Sequence, residues 1–253
     1  MFNKKIFFSL CTIPVAIFCN DNSDWQKRRK EEKNGEIKRR TQRLTSDSID
    51  ITPKDGKFIF NGMTPEQIEK EFGFKRVKVR GLMDLEKEVR VETNYKGEKG
   101  YQIICPLYTH VNEDKEPCGI LVDRGFISSD FEETRTHMAV DRDGYFEGIL
   151  YCGDKETKYD DQPNTPAADH WFKVYPNQIA LDLNLKNRED SGVAMLKLVE
   201  FDEDLQTSMP NAPTIKDLTS WKNMPERHHA YEVFWKYTTY FNLFANTMFW
   251  LYF

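Results

Sequence analysis

The sequence predicts an α+β protein in which a soluble, mainly antiparallel β domain is flanked by an N-terminal and a C-terminal transmembrane helix. Charge-free apolar segments lie at the two ends, over residues 6–18 and 237–253. Between them, short runs rich in Val, Ile, Tyr and Phe alternate with turn residues, which is typical of β-strands. With 253 residues and a mean hydropathy of -0.68, the chain is not a polytopic membrane protein, a collagen or a largely disordered protein.

The N-terminal segment, residues 6–18, reads IFFSLCTIPVAIF. As a helix it would reach about 20 Å, which is short of the ~30 Å hydrocarbon core of a bilayer. It could be the core of a signal peptide, because Lys4 and Lys5 precede it. No small-residue cleavage site follows it, which favours a retained short span helped by neighbouring protein or by local thinning of the bilayer. We therefore expect a transmembrane helix within residues 1–24.

The C-terminal segment is unusually aromatic, since 11 of the 34 aromatic residues lie in 231–253. Asn242 and Asn246 form only a thin polar stripe, of the kind that bonds neighbouring helices inside a bilayer. A buried core helix is the alternative, but it would have to hide an aromatic shell on every side. The sequence therefore predicts a second transmembrane helix over residues 226–253.

A basic connector, residues 25–57, joins the first helix to the β domain. Residues 25–43 contain nine Lys or Arg against three Glu, a charge of +6, which leaves -11 for the remainder of a chain whose net charge is -5. Residues 21–43 can form a helix that leaves the membrane, with Trp25 at the interface. In that case four cations would lie near lipid headgroups: Lys27, Arg28, Arg29 and Lys30. A solvated basic helix is the alternative.

The predicted β domain covers residues 58–225. The capping box Thr64-Pro65-Glu66-Gln67 predicts a short helix that ends near Gly73. Predicted strands follow over 76–83, 88–93, 101–107, 119–127, 145–152 and 193–201. Hairpin connections are expected over 94–100 and 111–117, and long polar loops over 154–170 and 206–225. Residues 178–185 fit a helix or a strand equally well.

Motifs of the common enzyme families are absent: there is no G-x-G-x-x-G, P-loop, H-E-x-x-H or G-x-S-x-G sequence. The five cysteines include no C-x-x-C pair, so no zinc or dithiol site is indicated. An enzyme is therefore not expected, and a hydrolase is disfavoured because no nucleophile and base can be paired.

The one candidate site lies just before the last helix, at His228 and His229. Successive helical residues point about 100° apart, so at most one of the two histidines faces a given ligand. A neutral imidazole here can be an axial ligand of haem iron, and Tyr231 and Trp235 would share the face of His228. An interfacial histidine that only makes hydrogen bonds is the alternative.

The order of these segments resembles the surfeit locus protein 1 family of cytochrome c oxidase biogenesis proteins, from about Trp25 to Phe253. The similar motifs, in chain order, are Trp25-Gln26 with its basic run, Val77-Lys78-Val79-Arg80-Gly81 with Asp84, Gly100-Tyr101 with Pro106, Val122-Asp123-Arg124-Gly125-Phe126, Gly148-Ile149-Leu150, Pro163-Asn164 with Trp171, and His228 with Tyr231 and Trp235. The chain departs from the family pattern at Glu226, where the family has Asn, and at His229, where it has Leu.

The resemblance implies a mitochondrial inner-membrane protein with two spans and a β domain in the intermembrane space. Such a protein would act in the biogenesis of cytochrome c oxidase (respiratory complex IV), with haem a delivery as a candidate role and His228 as the haem contact. Its partners would be oxidase subunits and the lipid bilayer, with no nucleic acid. The alternative is a permanent structural accessory subunit of complex IV or of a respiratory supercomplex, without haem binding.

Overall fold

The structure, a computed structural model, describes residues 4–131, 142–155, 162–201, 210–220 and 224–252. Two compact units make up the chain: Met1–Arg39 together with Thr219–Phe253, and Arg40–Leu218. The first unit is helical and the second is built around a β-sheet. Residues 156–161, 206–209 and 221–223 of the two predicted polar loops lie outside the described residues.

The described helices are α1 (Lys4–Leu44), α2 (Pro65–Phe72), α3 (Pro176–Asp182), α4 (Arg188–Ser191), α5 (Ile215–Thr219) and α6 (Pro225–Tyr252). The strands are β1 (Ile49–Asp50), β2 (Val77–Met83), β3 (Val89–Tyr95), β4 (Glu98–Val111), β5 (Pro117–Ser128), β6 (Arg142–Tyr151) and β7 (Met195–Leu198). Single 3-10 turns cover Ser129–Phe131 and Pro166–Ala168.

In the helical unit, α1 and α6 pack antiparallel through small and polar side chains. The Ser9 hydroxyl donates to Asn246 Oδ1 over 2.8 Å, and Ser23 Oγ donates to the Glu232 carbonyl over 3.1 Å. Between these two contacts, Thr239 Oγ1 lies 3.5 Å from the Ala16 carbonyl. Successive contacts are seven residues apart on both helices, which is the repeat of left-handed helix pairs. We call this line of contacts the seam.

Outside the seam, residues 6–18 of α1 and most of residues 231–252 of α6 expose apolar side chains. Phe7, Leu10 and Phe18 on α1 are about 60% exposed, and Tyr237 and Phe241 on α6 about 70%. This arrangement, polar inside and apolar outside, is the reverse of a soluble helix pair.

By length and composition, α1 is able to cross a membrane, and only 17% of its apolar window is buried within the protein. It is the one helix among the described residues that meets this criterion. The predicted C-terminal helix is present as α6, but it does not meet the same criterion as a span. Its Tyr, Trp, Thr and Asn residues lower its mean hydropathy.

In the second unit, five strands close into a ring in the order β2–β6–β7–β5–β4. Closure comes from β2, which pairs antiparallel with β6 along its whole length and with β4 at Leu82 and Met83. Between the described strands, the β5–β7 and β1–β2 pairings are parallel and the others antiparallel, so the prediction of a mainly antiparallel sheet is confirmed. A closed ring leaves few unpaired edges, and β1 and β3 extend it at the sides.

The interior of the ring is filled by inward-facing residues of its strands. Val79, Leu107 and Val122 are fully buried there. The capping box of α2 forms as predicted, with Thr64 and Gln67 exchanging two hydrogen bonds, and α2 adds Ile68 and Phe72 to this interior cluster.

Most predicted strands are confirmed, with shifted ends. The 94–100 hairpin turns at Lys96 and Gly97, whose φ angles of 53° and 92° fit a two-residue turn between twisted strands. The 193–201 prediction was too long, because the chain leaves β7 after Leu198 and Glu200 bonds instead to Pro213. The undecided residues 178–185 are mostly helical, in α3, and β1 was not predicted.

The Val122–Phe126 motif forms a kink in β5 and contacts β4, β7 and the segment at Asn211. Ile103 and Ile104 of β4 pair with Gly125 and Asp123, so Arg124 is an extra, bulged residue. Gly125 has a φ of 116°, and a Cβ there would lie 2.2 Å from the Asn211 carbonyl oxygen. This position therefore requires glycine.

Asp123 is completely buried and fully satisfied. Its carboxylate binds Lys197 Nζ at 2.9 Å, Gln102 Nε2 at 2.6 Å and the Gly125 amide at 3.0 Å. These three contacts tie β4, β5 and β7 together on one face of the ring. The motif thus stabilises the fold.

Asp217 fastens the segment 210–219 to the β3–β4 hairpin. Burial disfavours its charged form, but hydrogen bonds from Lys96, Thr214 and Tyr95 outweigh burial and lower the pKa of Asp217 to about 2. Its support for the fold is therefore complete above the ordinary aspartate pKa of about 4 and is lost as the pH falls towards 2.

We predict that Asp123→Ala lowers the free energy of unfolding by about 3–5 kcal/mol, because it leaves Lys197 without its partner in a buried network. The control is Asp143→Ala, whose carboxylate is 64% exposed and lies 3.6 Å from Arg80. Urea unfolding of the detergent-solubilised protein, followed by far-UV circular dichroism, measures both. Equal effects of the two substitutions would contradict the prediction.

Candidate functional site at the helix pair

Beyond Ser23, the seam becomes ionic and contains the predicted histidines. Gln26 and Lys30 of α1 face His228, His229 and Glu232 of α6. Lys30 lies seven residues after Ser23 on α1, and Glu232 lies seven residues before Thr239 on α6. Both residues therefore continue the seven-residue repeat of the seam. Pro225, the first residue of α6, suits a helix start because it has no amide proton to leave unsatisfied. We use the name polar cluster for the five facing residues: Gln26, Lys30, His228, His229 and Glu232.

His228 is half-buried and bonded across the seam. Its Nδ1 atom lies 2.7 Å from Gln26 Oε1. An amide oxygen only accepts hydrogen bonds, so a hydrogen bond between these two atoms requires the ring tautomer with its proton on Nδ1. In that tautomer of a neutral ring Nε2 has a free lone pair, which is the form of histidine that binds a metal.

His229, the adjacent histidine, belongs to an ion pair instead. Lys30 Nζ lies 2.7 Å from Glu232 Oε2, with side-chain exposures of 24% and 14%. His229 Nδ1 lies 3.3 Å from both the Lys30 ammonium and the Glu232 carboxylate. The two histidines therefore have different environments, as expected from the 100° between successive helical residues.

The aromatic residues expected beside His228 are divided between two environments. Tyr231 is 44% exposed, and its ring lies 6.0 Å from the Arg227 guanidinium carbon. Trp235 is half-buried and meets the ring of Phe18 edge-on, with centroids 6.1 Å apart. Tyr231 thus faces outwards, whereas Trp235 belongs to the seam.

The basic residues expected at headgroups are also divided. Lys27, Arg28 and Arg29 are exposed, and Arg29 pairs with Glu32 on its own helix at 2.8 Å. Lys30 is bound to Glu232 within the helix pair. Only the first three therefore present a basic surface outwards.

The donor set of the polar cluster fits haem better than a bare metal ion. Across the described ranges, no group of three or more His, Cys, Asp or Glu side chains is arranged around a common metal position. Haem iron already has four porphyrin nitrogens and needs only one axial ligand from a protein. A single neutral imidazole meets that need, and His228 is the half-buried imidazole of the polar cluster.

Gln26, Lys30 and Glu232 were not predicted as site residues. Gln26 belongs to the Trp25-Gln26 motif, which contributed to the family resemblance but gave no indication that Gln26 contacts His228. A seven-residue repeat of small and polar residues over 9, 16 and 23 on α1 was the usable signal, because its next step is Lys30.

The comparison with protein families identifies the family of the chain. A model of the SURF1 family matches residues 15–237, which is most of the chain. The chain belongs to the SURF1 family. A search of curated proteins found no significant match.

The SURF1 family is known for cytochrome c oxidase assembly, in which its members are membrane-associated assembly factors rather than typical enzymes. The match covers most of α1, the whole β unit and the first half of α6, and it includes Gln26 and His228.

We predict that the Lys30–Glu232 pair stabilises the helix pair cooperatively. A double-mutant cycle with Lys30→Met and Glu232→Gln should give a coupling of about 1–3 kcal/mol, because both groups are partly buried. The control cycle uses Arg29 and Glu32, which are 44% and 61% exposed and should couple by less than about 0.5 kcal/mol. Thermal unfolding in detergent measures both cycles, and equal couplings would contradict the prediction.

Proposed function

We propose that this SURF1-family protein assists the assembly of cytochrome c oxidase in the mitochondrial inner membrane by holding haem a at His228. In this proposal α1 and α6 both span the membrane, and the β unit lies in the intermembrane space. The observation that carries the haem role is the His228–Gln26 contact, which leaves Nε2 of His228 as an electron-pair donor.

The outward surface of α6 supports its assignment as a span. Its exposed face consists largely of Phe, Tyr, Trp and Leu, whereas Thr239 and Asn246 contact α1. Thr239 and Asn246 lower the mean hydropathy of the helix without facing lipid, whereas Lys236 is exposed and would have to extend its ammonium towards the headgroups. Trp25 and the exposed cations Lys27, Arg28 and Arg29 would then lie near the headgroups.

His228 would hold haem through its imidazole, and the exposed ring of Tyr231, three residues later, would supply nearby aromatic surface, whereas Trp235 packs against Phe18 in the helix pair. Haem, when bound, contributes a redox-active iron that cytochrome c oxidase requires. The protein's own part is to present one imidazole that Gln26 orients.

We predict that His228→Ala weakens binding of ferric haem to the full-length protein in detergent at least 10-fold, because it removes the axial ligand. The matched control is His229→Ala, which removes the neighbouring imidazole from the ion pair and should leave haem affinity unchanged. Absorbance titration measures binding. Equal haem affinity in the wild type and His228→Ala would exclude His228 as the ligand.

A second candidate, a resident structural subunit of the oxidase or of a supercomplex, is favoured by His229. At this position the family pattern has leucine, and here the imidazole joins the Lys30–Glu232 ion pair. A more polar seam suits a permanent helix pair. The copy number of the chain in the purified mature oxidase separates the two candidates: one copy per complex supports a subunit, and absence supports an assembly factor.

A further inference from the structure

The contact between Gln26 and His228 determines more than the position of the ring. A neutral imidazole has one N–H donor and one acceptor nitrogen, and the group bonded to one nitrogen determines the state of the other. Gln26 Oε1 lies 2.7 Å from Nδ1 of His228. Among the described residues, no polar partner of Nε2 is found.

We propose that Gln26 is a positioning residue that holds His228 in the Nδ1–H tautomer and so reserves Nε2 for an iron ligand. The ligand part of this proposal depends on the proposed function, whereas the tautomer part stands on the contact alone. Residues that bond the second nitrogen of a metal-binding histidine commonly orient the ring and tune its basicity.

Gln26 and His228 lie on different helices, so the orientation of the ring depends on how the two helices are aligned. His228 lies near the start of α6, and Gln26 lies seven residues after Cys19, which is 2% exposed. The ring is therefore oriented by the register of the helix pair, which is held independently by Ser23 bonding to the Glu232 carbonyl at 3.1 Å. A loss of Gln26 should change the ring without undoing the pair.

The chemical type of the acceptor matters as well. The adjacent His229 lies near a carboxylate, whereas His228 is bonded to a neutral amide. A carboxylate acceptor draws the proton from Nδ1 and makes the ligand more strongly donating. The neutral amide keeps His228 a weaker donor, which suits a protein that must release haem to another protein.

The tautomer is tested on the full-length protein in detergent, labelled with ¹⁵N-histidine, at about pH 8 where an ordinary imidazole is neutral. The ring nitrogen shifts of His228, assigned by their loss in His228→Ala, should show a protonated Nδ1 and an unprotonated Nε2. Gln26→Leu should lose this preference, and Gln26→Glu should restore it. A protonated Nε2 in the wild type would overturn the proposal, because Gln26 would then donate through its NH₂ group.

The ligand part is tested with haem added to the same variants. We expect Gln26→Leu to weaken ferric haem binding by about 10-fold, and by less than His228→Ala weakens it. Gln26→Glu should raise the iron–histidine stretching frequency of the ferrous complex in resonance Raman spectra and make its reduction potential more negative. A merely structural role of Gln26 would move neither quantity.

The outcomes separate this inference from the proposed function. If His228→Ala abolishes haem binding while the Gln26 variants match the wild type in affinity and Raman frequency, Gln26 is not a positioning residue but the haem site stands. If His228→Ala binds haem as well as the wild type, the haem site and the role of Nε2 are both overturned. Circular dichroism of each variant checks that the helices remain folded.

Discussion

The seam between α1 and α6 is the interaction on which the site depends. Helices surrounded by lipid gain little from hiding apolar side chains from one another, so close packing of small residues and hydrogen bonds must hold them. Ala16, Ser23 and Thr239 are nearly buried and supply both. The same register brings Gln26 opposite His228 and Lys30 opposite Glu232. A shift of one helix relative to the other would separate all of these pairs at once.

The β unit illustrates a different constraint, the closure of a short sheet. β2 has to reach both β6 and β4, and the extra residue Arg124 kinks the long strand β5. Asp123 stabilises that kink through three polar contacts. Gly125 allows it because it has no Cβ and leaves room for the Asn211 carbonyl. The most recognisable motif of the sequence is therefore explained by folding, and it needs no catalytic interpretation.

Local signals predicted much of this fold. The capping box at Thr64, the hairpin turn at Lys96 and most of the strands depend on neighbouring residues, and sequence patterns record such relations well. The closure between β2 and β4 and the short strand β1 depend on distant pairing, which no local pattern contains.

The site was predictable only in part, for the same reason. His228 stood out because of its chemistry and its place before an apolar segment. Gln26 lies 202 residues away in sequence, so its contact could be found only once the helix register was known. The sequence shows the charge of Lys30, which led to the expectation that Lys30 lies near headgroups. Its ion pair with Glu232 was not predicted, because the two residues lie on helices that are distant in sequence.

In the proposed arrangement α6 lies in lipid with its aromatic face outwards. Spin labels at Phe241, which is 69% exposed, and at Leu181 in the β unit, which is 59% exposed, test this directly in lipid nanodiscs. We expect the label at position 241 to be relaxed by oxygen and shielded from a water-soluble nickel chelate, and the label at position 181 to show the opposite. Equal relaxation of both labels by the nickel chelate would contradict this arrangement.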